Sequence, residues 1–520
     1  MPLLTRASYV LSFLPFALVG MWAGGLSASD LARAGTIVCC GLICGELLGR
    51  QFKSTNNYPT PPTSEIPEQG FPSNFSKVVL LYYLVLLGCS QIAQYYLGRQ
   101  GIDFAIFTQA INNFANTGSF QISLVGNNWS DFISHHFVPI FSLPALLTYF
   151  GLSPQISGIL IHLLAVAGGL VGFYYVAREL KFNEQSALVL TLILALNPTL
   201  RAGLFWEIRD EILALPFLAL LILGILKQSP LFFFLGSGMA LTCKETMFLA
   251  YFVFLLTYIL WNYFTAKQAY SKNFTWLACL FGLVSLVGIY FYFGPGQGAI
   301  GRTFSPQARL SNLSQLLEPQ SIKSKLYFTL IIFLPLLFSP LWSKKAWIIG
   351  LPGYFFLALI LISNFQPMYH PYNYYGVLPT YLLSFAALVA IANTSLNRLP
   401  PNLMRLIPTL VLCLQFSLAG RFHPAADVVD FLRTKNLPAQ DALLAINLDR
   451  KVIADDFDVS LFIEHAQVTR LWNANARKTD WDVIALRKGL AYKINPLYLK
   501  HSYICKENAS WIVRCKKPEL

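Results

Sequence analysis

Residues 155–177 read QISGILIHLLAVAGGLVGFYYVA, a run with no Asp, Glu, Lys or Arg. A helix crossing the hydrocarbon core of a bilayer needs about 20 mostly apolar residues, and this run supplies them. Similar runs occupy 8–26, 31–49, 78–97, 185–200, 210–227, 229–243, 246–264, 275–293, 326–342, 346–363, 371–393 and 405–420. The sequence therefore predicts an all-α polytopic membrane protein with about 13 spans. Composition agrees. Of the 520 residues, 55% are hydrophobic and 12% charged, against about 25% charged in soluble domains. The mean hydropathy is +0.53.

The net charge of +13 excludes nothing by itself, but it does not call for nucleic acid as a partner. Lys and Arg flanking spans on the cytoplasmic side give a basic balance, and the bilayer is the partner they imply. The run 135–150 is apolar, yet it opens on His135 and His136 and carries Pro139 and Pro144, so it is expected to lie at the interface or to re-enter rather than span. With the N-terminus inside, the basic loops 50–77, 178–184, 265–274 and 343–345 and the turn at Arg398 then fall in the cytoplasm, as the positive-inside bias requires. The C-terminal region falls outside, which in a bacterial inner membrane is the periplasmic face.

Four parts are expected: a two-helix hairpin over 1–50, a linker over 51–77 rich in Pro, Ser and Thr, a membrane module over 78–420, and a soluble exterior α/β domain over 421–520. In the last, AADVVDFLRTKN (425–436) has apolar positions at helical spacing. DALLAIN (441–447), WDVIAL (481–486) and SYICKENASWIVRC (502–515) read as strands and a hairpin. Cys505 and Cys515 flank that hairpin, where an oxidising exterior would allow a disulfide.

The chemistry-bearing residues gather in segments placed outside. RQGIDFAIFTQAINNFANTGSF (99–120) puts Asp103 just past the end of a span, as the cap of a short amphipathic helix or as a working carboxylate. SDFISHHFVPIFSLP (130–144) offers His135 and His136, which as helix neighbours would not share a face, so one ligand or lipid-phosphate contact is the most to expect. In NPTLRAGLFWEIRDEILALP (197–216), Glu207, Asp210 and Glu211 have the spacing of one helical face, with Arg209 elsewhere on the turn. They could be a solvated turn, but ionisable groups near a membrane usually have partners or a task. LTCKETMFLAYF (241–252) places Lys244 and Glu245 in an otherwise apolar stretch, either marking a turn or reaching the same exterior cavity as Asp103. NFQPMYHPYNYYGVLPTYLL (364–383) sets His370 among tyrosines that include Tyr374, a surface suited to sugar rings. The loop 294–325 is Gly-rich at its start and basic, with Arg302 and Arg309 able to neutralise a lipid-linked phosphate. No P-loop, GxSxG, CxxC or HExxH is present, which disfavours a nucleotide-driven motor and a zincin.

The order GIDFAIFTQAINNFANTG, HHFVPIF, YYVARELKFNEQSALV, FWEIRDEILALP, CKET and MYHPYNYYGVLP resembles bacterial predicted membrane proteins of the 2079 domain-of-unknown-function family, which is grouped by similarity with the GT-C superfamily of membrane glycosyltransferases. The resemblance covers roughly 78–420. It implies a GT-C-like helical bundle, a polyprenyl-phosphate-linked sugar as donor, and a carboxylate in the first exterior loop, here Asp103, as general base or orienter of the acceptor. Lys244, Arg302 and Arg309 are then candidates to face the leaving phosphate. Many superfamily members carry paired acids in this loop, whereas here Phe104 follows Asp103. A second acid would have to come from Asp131, Glu207 or Asp210, so the need for a divalent metal is left open. Two other functions compete with sugar transfer: a transporter or flippase of a lipid-linked or polar substrate, and a non-catalytic assembly protein.

Overall fold

The computed structural model describes residues 73–97, 99–123, 130–205, 207–265, 272–293, 318–333, 335–363, 368, 374–393, 424–434, 451–454, 467–470, 483–487, 502–507 and 511–516. The hairpin expected over 1–50, most of the linker and the span expected at 405–420 lie outside them.

Six helices among the described residues are long and apolar enough to cross a membrane: Ser76–Tyr96, Pro154–Glu179, Thr246–Thr265, Phe274–Tyr292, Lys344–Leu361 and Tyr374–Ala392. They belong to helices α1 (Ser73–Tyr96), α5 (Pro154–Glu179), α11 (Thr246–Thr265), α12 (Lys272–Phe293), α14 (Lys344–Leu361) and α15 (Val377–Ala392, entered through a 3-10 turn at Tyr374–Gly376). Each matches an apolar run of the sequence. Between them lie α2 (Ile102–Thr117), α3 (Phe132–His135), α4 (Ser142–Tyr149), α6 (Glu184–Leu196), α7 (Pro198–Leu204), α8 (Asp210–Leu213), α9 (Leu215–Lys227), α10 (Pro230–Leu241) and α13 (Pro319–Phe333).

The run at 135–150, which is not expected to span, and three of the expected spans hold broken or shorter helices. The run at 135–150 holds only the eight-residue α4 behind a 3-10 turn at Pro139–Phe141. At 1.5 Å per residue that helix is roughly 12 Å long, too short to cross. The runs at 185–200 and 210–227 divide where Pro198 and Pro216 open new helices, positions where the missing proline N–H costs nothing. The run at 326–342 stops being α-helical after Phe333.

Packing in the bundle relies on small residues. Gly168 of α5 lies against Pro216 of α9, and Tyr381 of α15 donates to the Gly169 carbonyl at 2.6 Å. Helices α9 and α10 form a close hairpin. A Cβ on Gly236 would sit 2.7 Å from the Leu221 nitrogen and 2.8 Å from the Phe217 oxygen. Both are backbone atoms that cannot rotate away. Gly236→Ala is expected to destabilise the protein by about 1–3 kcal/mol, seen as a lower unfolding midpoint in detergent; an unchanged midpoint would mean the two helices are not so close.

Toward the C-terminus, α16 (Pro424–Arg433) precedes a five-stranded sheet of β3 (Lys451–Ala454), β4 (Gln467–Arg470), β5 (Val483–Arg487), β6 (Ser502–Glu507) and β7 (Trp511–Lys516). A two-stranded ribbon, β1 (Gln121–Ile122) with β2 (Ser130–Asp131), closes the loop after α2. The sheet order is β4-β3-β5-β7-β6, with β3 parallel to β4 and β5 and the remaining pairs antiparallel. The hairpin read from 502–515 is β6 and β7, and Cys515 is disulfide-bonded.

Candidate functional site

Helix α2 carries Asp103 in its first turn. Its buried face includes Phe104, Phe107, Thr108 and Ile111, and it ends at Gly118, whose φ of 73° is left-handed and whose N–H returns to the Phe114 carbonyl, a glycine cap. Its N-cap, Gly101, offers no side chain. A distant residue does that work: Glu207 Oε2 accepts from the Phe104 N–H at 2.9 Å, satisfying one of the donors every helix start leaves open. A Cβ on Gly101 would lie 2.8 Å from Glu207 Oε1, so glycine is what lets this carboxylate approach.

Arg209 joins these parts. Its Nη1 lies 2.6 Å from Asp103 Oδ2 and its Nη2 donates to Glu207 Oε1 at 2.9 Å. Its guanidinium stacks 3.7 Å from the Tyr374 ring centroid. The planar fork of arginine suits two carboxylates and an aromatic face at once. The Arg209 side chain is 5% exposed and that of Asp103 38%, so a buried cation holds a carboxylate that still reaches the surface.

The second half of the cluster centres on Lys244, in the turn between α10 and α11. Its Nζ lies 3.2 Å from Asp210 Oδ2 and also binds Glu211 Oε1. Burial and the neighbouring Asp210 charge push the Glu211 carboxyl well up, to about 8. Burial works against the Asp210 anion too, but Lys244 overrides it and holds that carboxyl below its ordinary value. Beside them, His136 Nδ1 is 3.5 Å from Glu245 Oε1, and the Phe137 N–H donates to Glu245 Oε2 at 3.2 Å. Burial would lower the His136 value, but the Glu245 hydrogen bond and charge raise it. The segment after His136 is fixed further by the Ile140 N–H bonding the Thr242 carbonyl at 3.1 Å.

Adjacency along the chain unites the two halves, because Arg209 precedes Asp210 and Lys244 precedes Glu245. The cluster collects Asp103, Glu207, Asp210, Glu211 and Glu245 around Arg209, Lys244 and His136. The C-terminal end of α1 and the N-terminal ends of α11 and α15 meet here, so the charges sit at one end of the bundle.

Of the residues the sequence singled out, Asp103, Glu207 and Tyr374 converge on Arg209, Asp210 meets Lys244, and His136 meets Glu245. Asp131 caps α3 by accepting from the Ile133 N–H. The His135 side chain and Arg302, Arg309 and His370 lie outside the described residues. One expectation changes. Glu207 is not on a helical face with Asp210, because α8 begins only at Asp210 and Arg209 is extended at φ −139°, ψ 137°. Arg209, which the helical repeat sets elsewhere on the turn, joins the site through Asp103 and Glu207, and Glu211 joins it through Lys244. Among the described residues no three His, Cys, Asp or Glu side chains are grouped to hold a metal ion, and Asp210 and Glu211 are turned onto Lys244 instead.

The fold is similar to that of ArnT from Cupriavidus metallidurans bound to undecaprenyl phosphate, with a TM-score of 0.52 and 10% identity over 86% of this chain and 100% of that one. The apo structure of the same protein gives a TM-score of 0.50 and 11% identity over 86% of this chain and 99% of that one. No curated protein matches the sequence. The family model described as "Predicted membrane protein (DUF2079)" matches residues 94–487.

Proposed function

This chain belongs to the DUF2079 family of predicted membrane proteins, and we propose that it is a membrane glycosyltransferase moving a sugar from a polyprenyl-phosphate-linked donor to an exterior lipid, glycan or protein. The observation that carries this reading is the half-exposed Asp103, set at the first turn after a span and held 2.6 Å from buried Arg209. The ArnT fold likeness, to a protein crystallised with undecaprenyl phosphate, supports the donor class.

In the proposed reaction Asp103 takes the proton of the acceptor hydroxyl as its oxygen bonds to the anomeric carbon. The bond from that carbon to the phosphate oxygen breaks, and the polyprenyl phosphate leaves with the electron pair. Positioned proton transfer of this kind is worth about 10²–10⁴-fold. Arg209 orients Asp103, and Glu207 orients Arg209 and the start of α2. Lys244, Arg302 and Arg309 are the cations proposed to meet the leaving phosphate. Protonation of Glu211 leaves Lys244 facing one carboxylate rather than two, which frees part of its charge. His135, His136, Asp210, Glu245, His370 and Tyr374 are proposed to line the sugar and acceptor positions.

The same reading puts the protein in a bacterial inner membrane with about 13 spans in a GT-C-like bundle, its N-terminus inside and the α/β tail from residue 421 outside. A transporter would more often place ionisable groups near the midplane on broken helices of two matching halves, whereas these charges collect at one end of the bundle. The test is reconstitution in liposomes with radiolabelled polyprenyl-phosphate sugars. Label appearing on a product free of polyprenyl phosphate supports transfer. Label crossing the bilayer while still attached to its lipid would replace this reading with a flippase.

A further inference from the structure

The corner between α1 and α2 is gripped from a second direction. Asp427 of α16 is buried, and its carboxylate accepts from Gln94 Nε2 at 2.8 Å, Ser90 Oγ at 3.3 Å and Arg99 Nη1 at 2.8 Å. Arg99 Nη2 reaches Asp430 Oδ2, one turn further along α16, at 2.8 Å. The Tyr96 and Phe431 rings pack at 5.8 Å. Arg99 is itself fixed by its N–H to the Gln94 carbonyl at 2.8 Å, and Gln100 Nε2 contacts the Gln91 carbonyl and side-chain oxygens at 3.3 Å.

Only residues 97–101 join α1 to α2, and Asp103 follows two positions later. Glu207 and Arg209 hold this corner from the bundle side; Asp427 and Asp430 hold it from the tail. We infer that α16 is a positioning element for Asp103, and that Asp427 is a positioning residue acting through Arg99. A surface anchor would need only the exposed Arg99–Asp430 pair, whose net value is small. Here a carboxylate is taken out of water and given three donors from the segment leading to Asp103, an arrangement whose loss is costly. A planar guanidinium held by one nitrogen to Asp427 and the other to Asp430 is fixed in direction as well as distance, so the grip sets how α2 leaves α1.

The consequence for turnover rests on the transferase reading; the geometric claim does not. The experiment therefore reads geometry first. In full-length protein in membranes carrying Asp103→Cys, a maleimide labels residue 103 across a pH series, scored on that peptide by mass spectrometry. Beside Arg209 the thiolate is favoured, so the labelling midpoint falls below the ordinary thiol value of about 8.5. Adding Asp427→Asn, or separately Arg99→Gln, is expected to move the midpoint back up toward that value, while Asp430→Asn moves it less. Unfolding midpoints confirm that the variants are folded, and Arg99→Gln, which alters a half-exposed side chain, keeps the test available if Asp427→Asn does not fold. In the Asp103 background, Asp427→Asn is expected to lower the turnover number about tenfold or more with the KM for donor unchanged, since misplacement by about 1 Å can cost 10²-fold. A labelling midpoint unaffected by both Asp427→Asn and Arg99→Gln would overturn the inference. Absence of transfer by the unsubstituted protein would overturn the transferase reading and leave the labelling result standing.

Discussion

Arg209→Ala is expected to remove sugar transfer to background and to cost about 3–5 kcal/mol of stability, as breaking a buried ion pair does. The side chain is buried and binds Asp103 and Glu207 with separate nitrogens while covering the Tyr374 ring. Without it Glu207, itself buried, keeps the Phe104 N–H but has lost its cation. Asp103 loses the contact that fixes its direction. Arg209→Lys tests the geometry separately from the charge. An ammonium is a point charge and cannot present the fork, so this variant should recover more stability than activity. Unfolding midpoints and transfer rates of the two variants, compared side by side, check this. A transfer rate for Arg209→Ala within a few-fold of the unsubstituted protein would mean that the Asp103 contact is irrelevant to turnover.

Lys244→Met is the second large effect. It leaves Asp210 and Glu211 adjacent, buried and without their shared cation, and about 3 kcal/mol of lost stability is expected near neutral pH. The cost should depend on pH with a definite sign. Burial and Asp210 raise Glu211 from an ordinary value of 4.5 to about 8 even with Lys244 present, and its removal raises both carboxylates further. A folded state with raised carboxyl values holds more protons than the unfolded chain, so stability falls as pH rises from about 4.5 through the folded value. Lys244→Met should therefore lose least in mild acid and most at pH 8 and above. The double variant Lys244→Met/Glu211→Gln should regain part of the loss, since one of the unpaired charges is gone. A Lys244→Met midpoint that improves with rising pH would contradict this account.

The long apolar runs made helices α1, α5, α11, α12, α14 and α15, each long and apolar enough to cross a membrane, legible in the sequence, because a helix satisfies every backbone polar group within its own segment. The divisions inside 185–243 were less legible, although Pro198 and Pro216 mark them as helix starts. Arg209 was missed for a specific reason. A helical repeat grouped Glu207 with Asp210 and Glu211 and turned Arg209 away. The chain there is extended, where side chains alternate with a period of two, so Glu207 and Arg209 share a side. The charge partner of Asp103 lies 106 positions later in the chain, beyond any local periodicity. Helix α16 was legible from AADVVDFLRTKN, but its grip on Arg99 depends on tertiary contact alone. Strands β3 and β4 are short and pair in parallel, so they carry no hairpin signal.

The most direct measurement is single-turnover transfer from a radiolabelled polyprenyl-phosphate sugar by purified protein and by Asp103→Asn, both verified as folded. Asp103→Asn keeps the shape of the side chain but cannot take a proton, and its rate should fall by about 10²–10⁴ while donor binding persists. Equal rates for the two proteins would show that the carboxylate Arg209 holds is not the group that acts.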